Sequence, residues 1–308
     1  MTTNAAIARN RFGLGARPSA SATDSPTDWL KSQIDKYDPA LSNSASQPSR
    51  ASIAASFRDY QLDPKDRQVA GKDAAAIMPG DNMSQIDPAK IEKVVNTLRV
   101  QYVAAVDTRI DAAISSDTDF AERLVHFWSN HFAVSIDKLP VLALAGDYEF
   151  TAIRPHIMGK FSDLLFAAVT HPAMLLYLDQ AQSIGPNSPL AAQVAARRIR
   201  KLGLNENLAR EILELHTLGV GAGYGQEDVH QLAKLFTGMT YQPQVGFKFQ
   251  QKAAEPGAET VLGVSYGGPG NAKLADIHAA LEDLAEHPST GLHIARKLVQ
   301  QNVSRTFF

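Results

Sequence analysis

The chain has 308 residues, of which 44% are hydrophobic and 20% charged, a globular profile with material for a large core. Thirty basic against thirty-two acidic side chains leave a formal charge of −2, which gives no general attraction for nucleic acid or an anionic membrane surface. There is no cysteine, so disulfides, thiolate nucleophiles and iron–sulfur clusters are excluded, and any metal must be held by His, Asp, Glu or carbonyl oxygen.

Residues 1–36 read as a short helical entry, with Trp29, Leu30 and Ile34 at helical spacing. The N-terminus lacks the apolar core of a signal peptide, and no apolar run approaches a membrane span. The default location is therefore cytoplasmic. Residues 38–58 are rich in Ser, Ala and Pro, and 62–88 are polar and broken by Asp, Pro and Gly. Together 38–88 form an expected linker and loop within one helical domain, 1–308. From Ile91 an apolar stripe runs through Val94, Val95, Leu98, Tyr102, Val106, Ile110 and Ile114, predicting a long helix. Asp117, Thr118 and Asp119 end it and start the next, with acids where a helix N-terminus favours them.

Further helices are expected across 141–152, 161–179, 206–218, 226–237, 274–286 and 289–302. Gly219 stands where a C′ glycine belongs, and Val229, Leu232, Ala233 and Phe236 form a core face. The segments beginning at Val245 and Thr260 flank Glu-Pro-Gly and read as a small β-hairpin insertion around 245–266. The fold class is mainly α, an irregular multi-helix bundle with that one insertion.

The densest polar constellation begins at Leu124-Val-His-Phe-Trp-Ser-Asn-His-Phe. On a helix, His126 and Asn130 lie about 40° apart, while His131 is about 140° from His126. This is not the His pair of a zincin helix. The two histidines read either as core residues satisfied by backbone carbonyls or as ligand or acid–base groups. In the 206–218 helix, Glu206, Asn207, Arg210, Glu211 and Glu214 share one face, with Arg210 four residues from both Glu206 and Glu214. A solvated, ion-paired face is the plain reading; a metal site built from Glu206, Glu211, Glu214 and His216 is the sharper one, although the Glu-x-x-His of bundle metal sites is missing. A divalent metal is the candidate cofactor. Arg197, Arg198 and Arg200 precede that helix and could hold an anion near its N-terminus, or form a solvated turn. His171 and His287 each precede proline, which suits a helix start. There is no nucleophile elbow, Walker loop or dinucleotide fingerprint.

The motifs just quoted, with Ala152-Ile-Arg-Pro-His, His171-Pro-Ala-Met-Leu-Leu-Tyr-Leu-Asp, Gln182-Ser-Ile-Gly-Pro-Asn-Ser and Gly203-Leu-Asn-Glu-Asn-Leu-Ala-Arg-Glu-Ile-Leu-Glu-Leu-His-Thr-Leu-Gly, resemble the bacterial family called domain of unknown function 1800. The resemblance spans nearly the whole chain. It implies a large helical protein whose reaction is not established, with a partner from the neighbouring family called domain of unknown function 1501 and a paired role at the envelope or periplasm. Two positions depart from the pattern: Met239 stands where it carries Trp, and Gln180 where it carries Asn. Family members continue beyond Ala295-Arg-Lys-Leu, so a C-terminally truncated copy is expected. Two functions follow. One is a hydrolase or metal-assisted enzyme whose catalytic groups are His126, His131, Asn207, Arg210 and Glu211. The other is a non-catalytic accessory or chaperone-like partner of an exported protein.

Overall fold

The computed structural model describes residues 3–15, 25–41, 51–53, 88–197, 203–242 and 245–303. The expected linker and loop at 38–88, and Arg198 and Arg200, fall largely or wholly outside these. Helices α1 (Thr3–Phe12) and α2 (Pro26–Asp35) form the entry. They are followed by α3 (Pro88–Ser115), α4 (Asp119–His131) and α5 (Leu139–Tyr148). Ser25 caps α2 through the Asp28 N–H at 3.3 Å, and Pro26 fills the first helical position, where a missing N–H costs nothing. Asp119 and Glu122 occupy the first turn of α4.

Helix α5 is strongly apolar, with Val141 to Leu144 all buried. It packs against both α3 and α7 (Pro172–Tyr177). On α3 the apolar stripe is buried only in part. Leu98 is fully covered, but Ile110 and Ile114 are exposed, as are Val100 and Val103 off the stripe.

Three expected helices are interrupted, each for a local reason. The segment 161–179 divides into α6 (Phe161–Thr170) and α7, because Pro172 cannot continue a helix and His171 starts the second one, its ring nitrogen accepting the Ala173 N–H at 3.2 Å. Helix α5 ends at Tyr148 and passes into a π turn, Glu149–Ile153, then a 3₁₀ turn, Arg154–His156. The 206–218 helix is α9 (Asn207–Glu211) continued by a second π turn, Ile212–His216. This wider turn slows the rotation per residue. Leu215 is 45% exposed, while His216 is buried. Gly219 follows at φ +89°, its N–H reaching the Leu213 carbonyl at 3.1 Å, as a C′ glycine does.

Helix α8 (Pro189–Arg197) precedes α9, and α10 (Gln226–Leu235) follows it, burying Val229, Leu232, Ala233 and Leu235. The β insertion is two hairpins rather than one. Met239–Gln242 (β1) pairs with Gly246–Phe249 (β2), and Gly257–Val261 (β3) pairs with Val264–Gly268 (β4), both antiparallel. The segments starting at Val245 and Thr260 therefore belong to different ribbons. The second closes through Leu262 and Gly263, both at positive φ, the geometry of a two-residue primed turn. Asp228 secures it by accepting the Leu262 N–H at 2.7 Å. Helices α11 (Leu274–Glu286) and α12 (Pro288–Val303) complete the chain. Among the described residues no helix is long and apolar enough to cross a membrane.

Candidate functional site

Helix α4 carries Glu122, His126, Ser129 and Asn130 at steps of four, three and one, which is one helical face. Opposite it lies the first π turn with Glu149, followed directly by Arg154. Arg154 and Glu122 meet in a two-bonded pair, Nη1–Oε1 and Nη2–Oε2 both 2.7 Å, with side chains 1% and 3% exposed. Burial works against the Arg154 charge, but the hydrogen bonds and charge of Glu122 outweigh it and raise the Arg154 pKa above its ordinary value. The Tyr37 hydroxyl donates to the Arg154 carbonyl at 2.7 Å. Burial, then the Arg109 charge, holds His126 below the ordinary imidazole range, and its buried Nε2 has no partner among the described residues.

Glu149 lies further along the same seam. The Ser129 hydroxyl donates to its Oε2 at 2.9 Å, and Arg109 of α3 places Nε 3.2 Å from that oxygen. Oε1 is buried without a partner among the described residues. Burial raises the Glu149 pKa, and the Arg109 charge and Ser129 bond only partly offset it. These groups form one wall of an open cavity of about 280 Å³, where Arg109, Ser129, Asn130 and Glu149 face an otherwise mainly apolar lining that includes Val106 and Phe150. Gly146 floors it because a Cβ there would collide with the Cβ of Ala105 on α3.

A second cluster gathers at the far end of α4. His131 stands among Phe127, Trp128, Phe132 and Phe161, with the His216 and His293 rings 5.5 and 6.2 Å away, centre to centre. Its Nε2 lies 3.0 Å from the His216 carbonyl, and its Nδ1 is 2.8 Å from Nζ of Lys297 on α12. Burial lowers the His131 pKa, with Lys297 adding to the effect, and burial brings His216 down to about 4. The His216 Nδ1 is buried and unpartnered among the described residues.

The acidic face of α9 does not meet these groups. Glu206 accepts from His230 at 2.9 Å and Gln226 at 2.8 Å, both on α10, and Arg210 bridges Glu206 at 3.3 Å and Glu214 at 3.6 Å. The hydrogen bond from His230 is the main reason the Glu206 pKa is lowered. Burial raises that of Glu211, and neighbouring Glu214 adds to it. Asn207 is exposed, its N–H donating to the Asn205 side chain at 2.8 Å. The structure thus joins His131 to His216, places His126 in the Glu122–Arg154 seam, and turns Glu206 and Arg210 toward α10, with Glu214 paired to Arg210. Among the described residues no three His, Asp or Glu side chains converge as a metal site requires. Arg197 ends α8, eight residues before Asn205, and nothing is described of its side chain.

Sequence reasoning passed over Arg109, Ser129, Glu149 and Lys297. Two of them left a trace: Arg109 sits three residues from Val106 on a stripe that should be apolar, and Glu149 follows Asp147 in an otherwise apolar helix. His171 and His287 act as helix starters, as proline spacing indicated, with His287 accepting the Ser289 N–H at 3.1 Å. His171 also contacts Asp147 at 2.9 Å.

A family model described as protein of unknown function (DUF1800) matches residues 7–306, so the chain belongs to that family. No curated protein and no solved structure matches it.

Proposed function

We propose that this family member is a hydrolase whose reaction takes place in the cleft between α3, α4 and the first π turn. One observation carries the reading: a serine hydroxyl on the cleft wall already donates to a buried carboxylate whose basicity burial has raised. That is the nucleophile–base contact of acyl transfer, with Arg109 as the third group that fixes the base. In this reading Ser129 Oγ attacks an ester or amide carbonyl while its proton passes to Glu149. The proton then goes to the departing alcohol or amine. Water, deprotonated by the same carboxylate, releases the acid and restores Ser129. Asn130 and the outer nitrogens of Arg109 supply donors for the developing oxyanion.

The test is a fluorophosphonate probe followed by peptide mapping, alongside hydrolysis of short-chain nitrophenyl esters. Wild-type protein should be labelled at Ser129, and Glu149→Gln should lose about 10²–10⁴-fold in rate, the usual worth of a general base. An unlabelled Ser129 in protein that hydrolyses the esters, or full activity in Ser129→Ala, would overturn the assignment.

A second reading, an accessory protein that holds a partner of the domain of unknown function 1501 family, draws support from the exposed apolar side chains of α3, Val100, Val103, Ile110 and Ile114. That reading gives the titratable seam around Glu149 no work to do. Co-purification of the two products, abolished by Val103→Glu and Ile114→Glu with the fold intact, would favour it.

A further inference from the structure

Arg109 holds Glu149 with only part of its reach. In the buried pair of the same seam, Arg154 gives both outer nitrogens to the two oxygens of Glu122, each at 2.7 Å. A two-bonded grip of this kind is frequent between arginine and carboxylate. Arg109 instead meets a single oxygen of Glu149 with its inner nitrogen, Nε, at 3.2 Å. Its outer nitrogens, which hold all but one of the five guanidinium donors, have no partner among the described residues. The side chain is 42% exposed and lines the cleft, so a molecule entering the cleft can reach that free edge. Among the described lining residues, Arg109 and Glu149 alone carry charge. When Glu149 takes up the Ser129 proton, Arg109 is left as a cation with no anion in the lining.

We propose that the outer edge of Arg109 is a carboxylate subsite, and that the substrates of the cleft are small esters or amides carrying a carboxylate a few bonds from the carbonyl that is attacked. The proposal rests on the hydrolase reading for its reaction, in which one C–O or C–N bond is exchanged for a bond to the oxygen of water. Guanidinium and carboxylate match in shape as well as charge, two parallel N–H groups facing two oxygens. Each outer nitrogen carries two N–H groups, so a carboxylate held in this way leaves donors for the developing oxyanion. Proximity sets the length of the substrate. Ser129 Oγ and Arg109 Nε contact the same oxygen of Glu149, at 2.9 and 3.2 Å, and so stand within about two hydrogen-bond lengths of each other. A carboxylate gripped by Arg109 is therefore close to the carbon that Ser129 attacks. Volume agrees: the cleft measures about 280 Å³, just below the ~300–1,000 Å³ usual for ligand pockets. Val106, Ile136 and Phe150 of the lining offer apolar contacts to the carbons between the two groups.

Two matched pairs of substrates and one chemical probe test the subsite on the full chain. Monomethyl succinate against methyl succinamate places the carboxylate on the acyl side, and butyryloxyacetate against butyryloxyacetamide places it on the leaving side. One pair should favour the carboxylate by about 10–100-fold in kcat/KM, the worth of a charge-assisted pair, and which pair does so tells the two sides apart. Arg109→Gln should bring that ratio to about one or below, whatever it does to the absolute rates. Phenylglyoxal modification of Arg109, mapped by peptide mass spectrometry, reads the subsite without turnover. At matched ionic strength succinate should slow it several-fold and succinamide should not. Should Arg109→Gln fail to fold, the wild-type ratios and the protection decide. Ratios near one in both pairs, or equal modification with succinate and succinamide, overturn the carboxylate subsite; with Ser129-dependent ester hydrolysis intact, they leave the hydrolase reading standing. Protection by succinate in a protein that hydrolyses none of the four substrates overturns the hydrolase reading instead, and keeps the subsite as a binding site.

Discussion

The Glu122–Arg154 pair is the seam's anchor, and its removal one side at a time has a calculable consequence. Both bonds are 2.7 Å and both side chains are within 3% of full burial. Arg154→Met leaves the Glu122 carboxylate without the guanidinium that satisfies it. Glu122→Met leaves a guanidinium that cannot shed its proton at any working pH, with Nε already unpartnered among the described residues. Breaking a buried pair from one side costs about 3–5 kcal/mol, whereas replacing both partners with apolar groups of similar volume ranges from neutral to stabilising. Each single variant should therefore lose a large part of the ~5–15 kcal/mol that holds a typical domain. The double variant Glu122→Met/Arg154→Met should recover most of that loss.

Urea denaturation of the four proteins closes the cycle, with midpoints compared at unchanged slope. The interaction term should be several kcal/mol, well above the ~0.3–0.5 kcal/mol scatter of independent sites. Additive single losses, or singles that each cost less than about 1 kcal/mol, would refute the buried-pair account. Activity in the double variant is informative as well. The pair does not touch the cleft wall, so ester hydrolysis should persist if its role is to hold the π turn against α4.

Three further outcomes follow from the same physics. Glu149→Gln should stabilise the fold at neutral pH while destroying activity. The folded carboxyl has a raised pKa, so the folded state holds its proton longer than the unfolded chain, and wild-type stability falls as pH rises from about 4.5 through the folded value. The variant should lack that slope, and matching slopes in a thermal-melt series would contradict a burial-raised Glu149. The histidines run the other way: His216 titrates at about 4 when folded and 6.5 when unfolded, with His131 also lowered, so their contribution is complete above about pH 6.5 and is lost as pH falls toward 4. His216→Leu should flatten that acid limb, and an unchanged limb would place the acid sensitivity elsewhere. Gly185→Ala should cost about 1–3 kcal/mol, because a Cβ there would come within 2.5 Å of the Glu255 backbone, where Glu255 clasps the Asn187 N–H at 2.9 Å. A thermal midpoint equal to wild type would show that the loop can yield.

Much of the framework was legible because it depends on local chemistry. The α10 core face, the C′ role of Gly219 and the capping roles of His171 and His287 follow from periodicity, positive φ and the proline that comes next. The hairpins were misjoined because strand pairing is non-local, and two short segments around Glu-Pro-Gly look like partners until β1 is seen to claim β2. Gln180 and Met239 meet at one junction, where the Gln180 amide donates to the Phe236 carbonyl at 2.8 Å and Thr240, next to the buried Met239, donates to Ala181. Neither position lines the cleft.

The site resisted sequence reading for a reason that also bears on function. At about 100° per residue, Glu149 and Arg154 should point about 140° apart, and so should Glu211 and His216. A π turn bonds residue i to i+5, as the Arg154 N–H does to the Glu149 carbonyl, and so brings groups five apart onto one face. That is why α4 meets both at once, Ser129 against Glu149 and Glu122 against Arg154. The second π turn works on the other partner of α4: Thr217 bonds back to Ile212 at 2.8 Å, and the His216 carbonyl is turned to His131. Such turns are rare in helices and concentrate where a side chain must be aimed. Here both are aimed at one helix, and each holds a buried polar atom without a partner among the described residues, Oε1 of Glu149 and Nδ1 of His216. A scaffold selected for stability alone would close those bonds or replace the groups with apolar ones. Buried polar atoms left open at both π turns packed on α4 are the feature on which the proposed function rests.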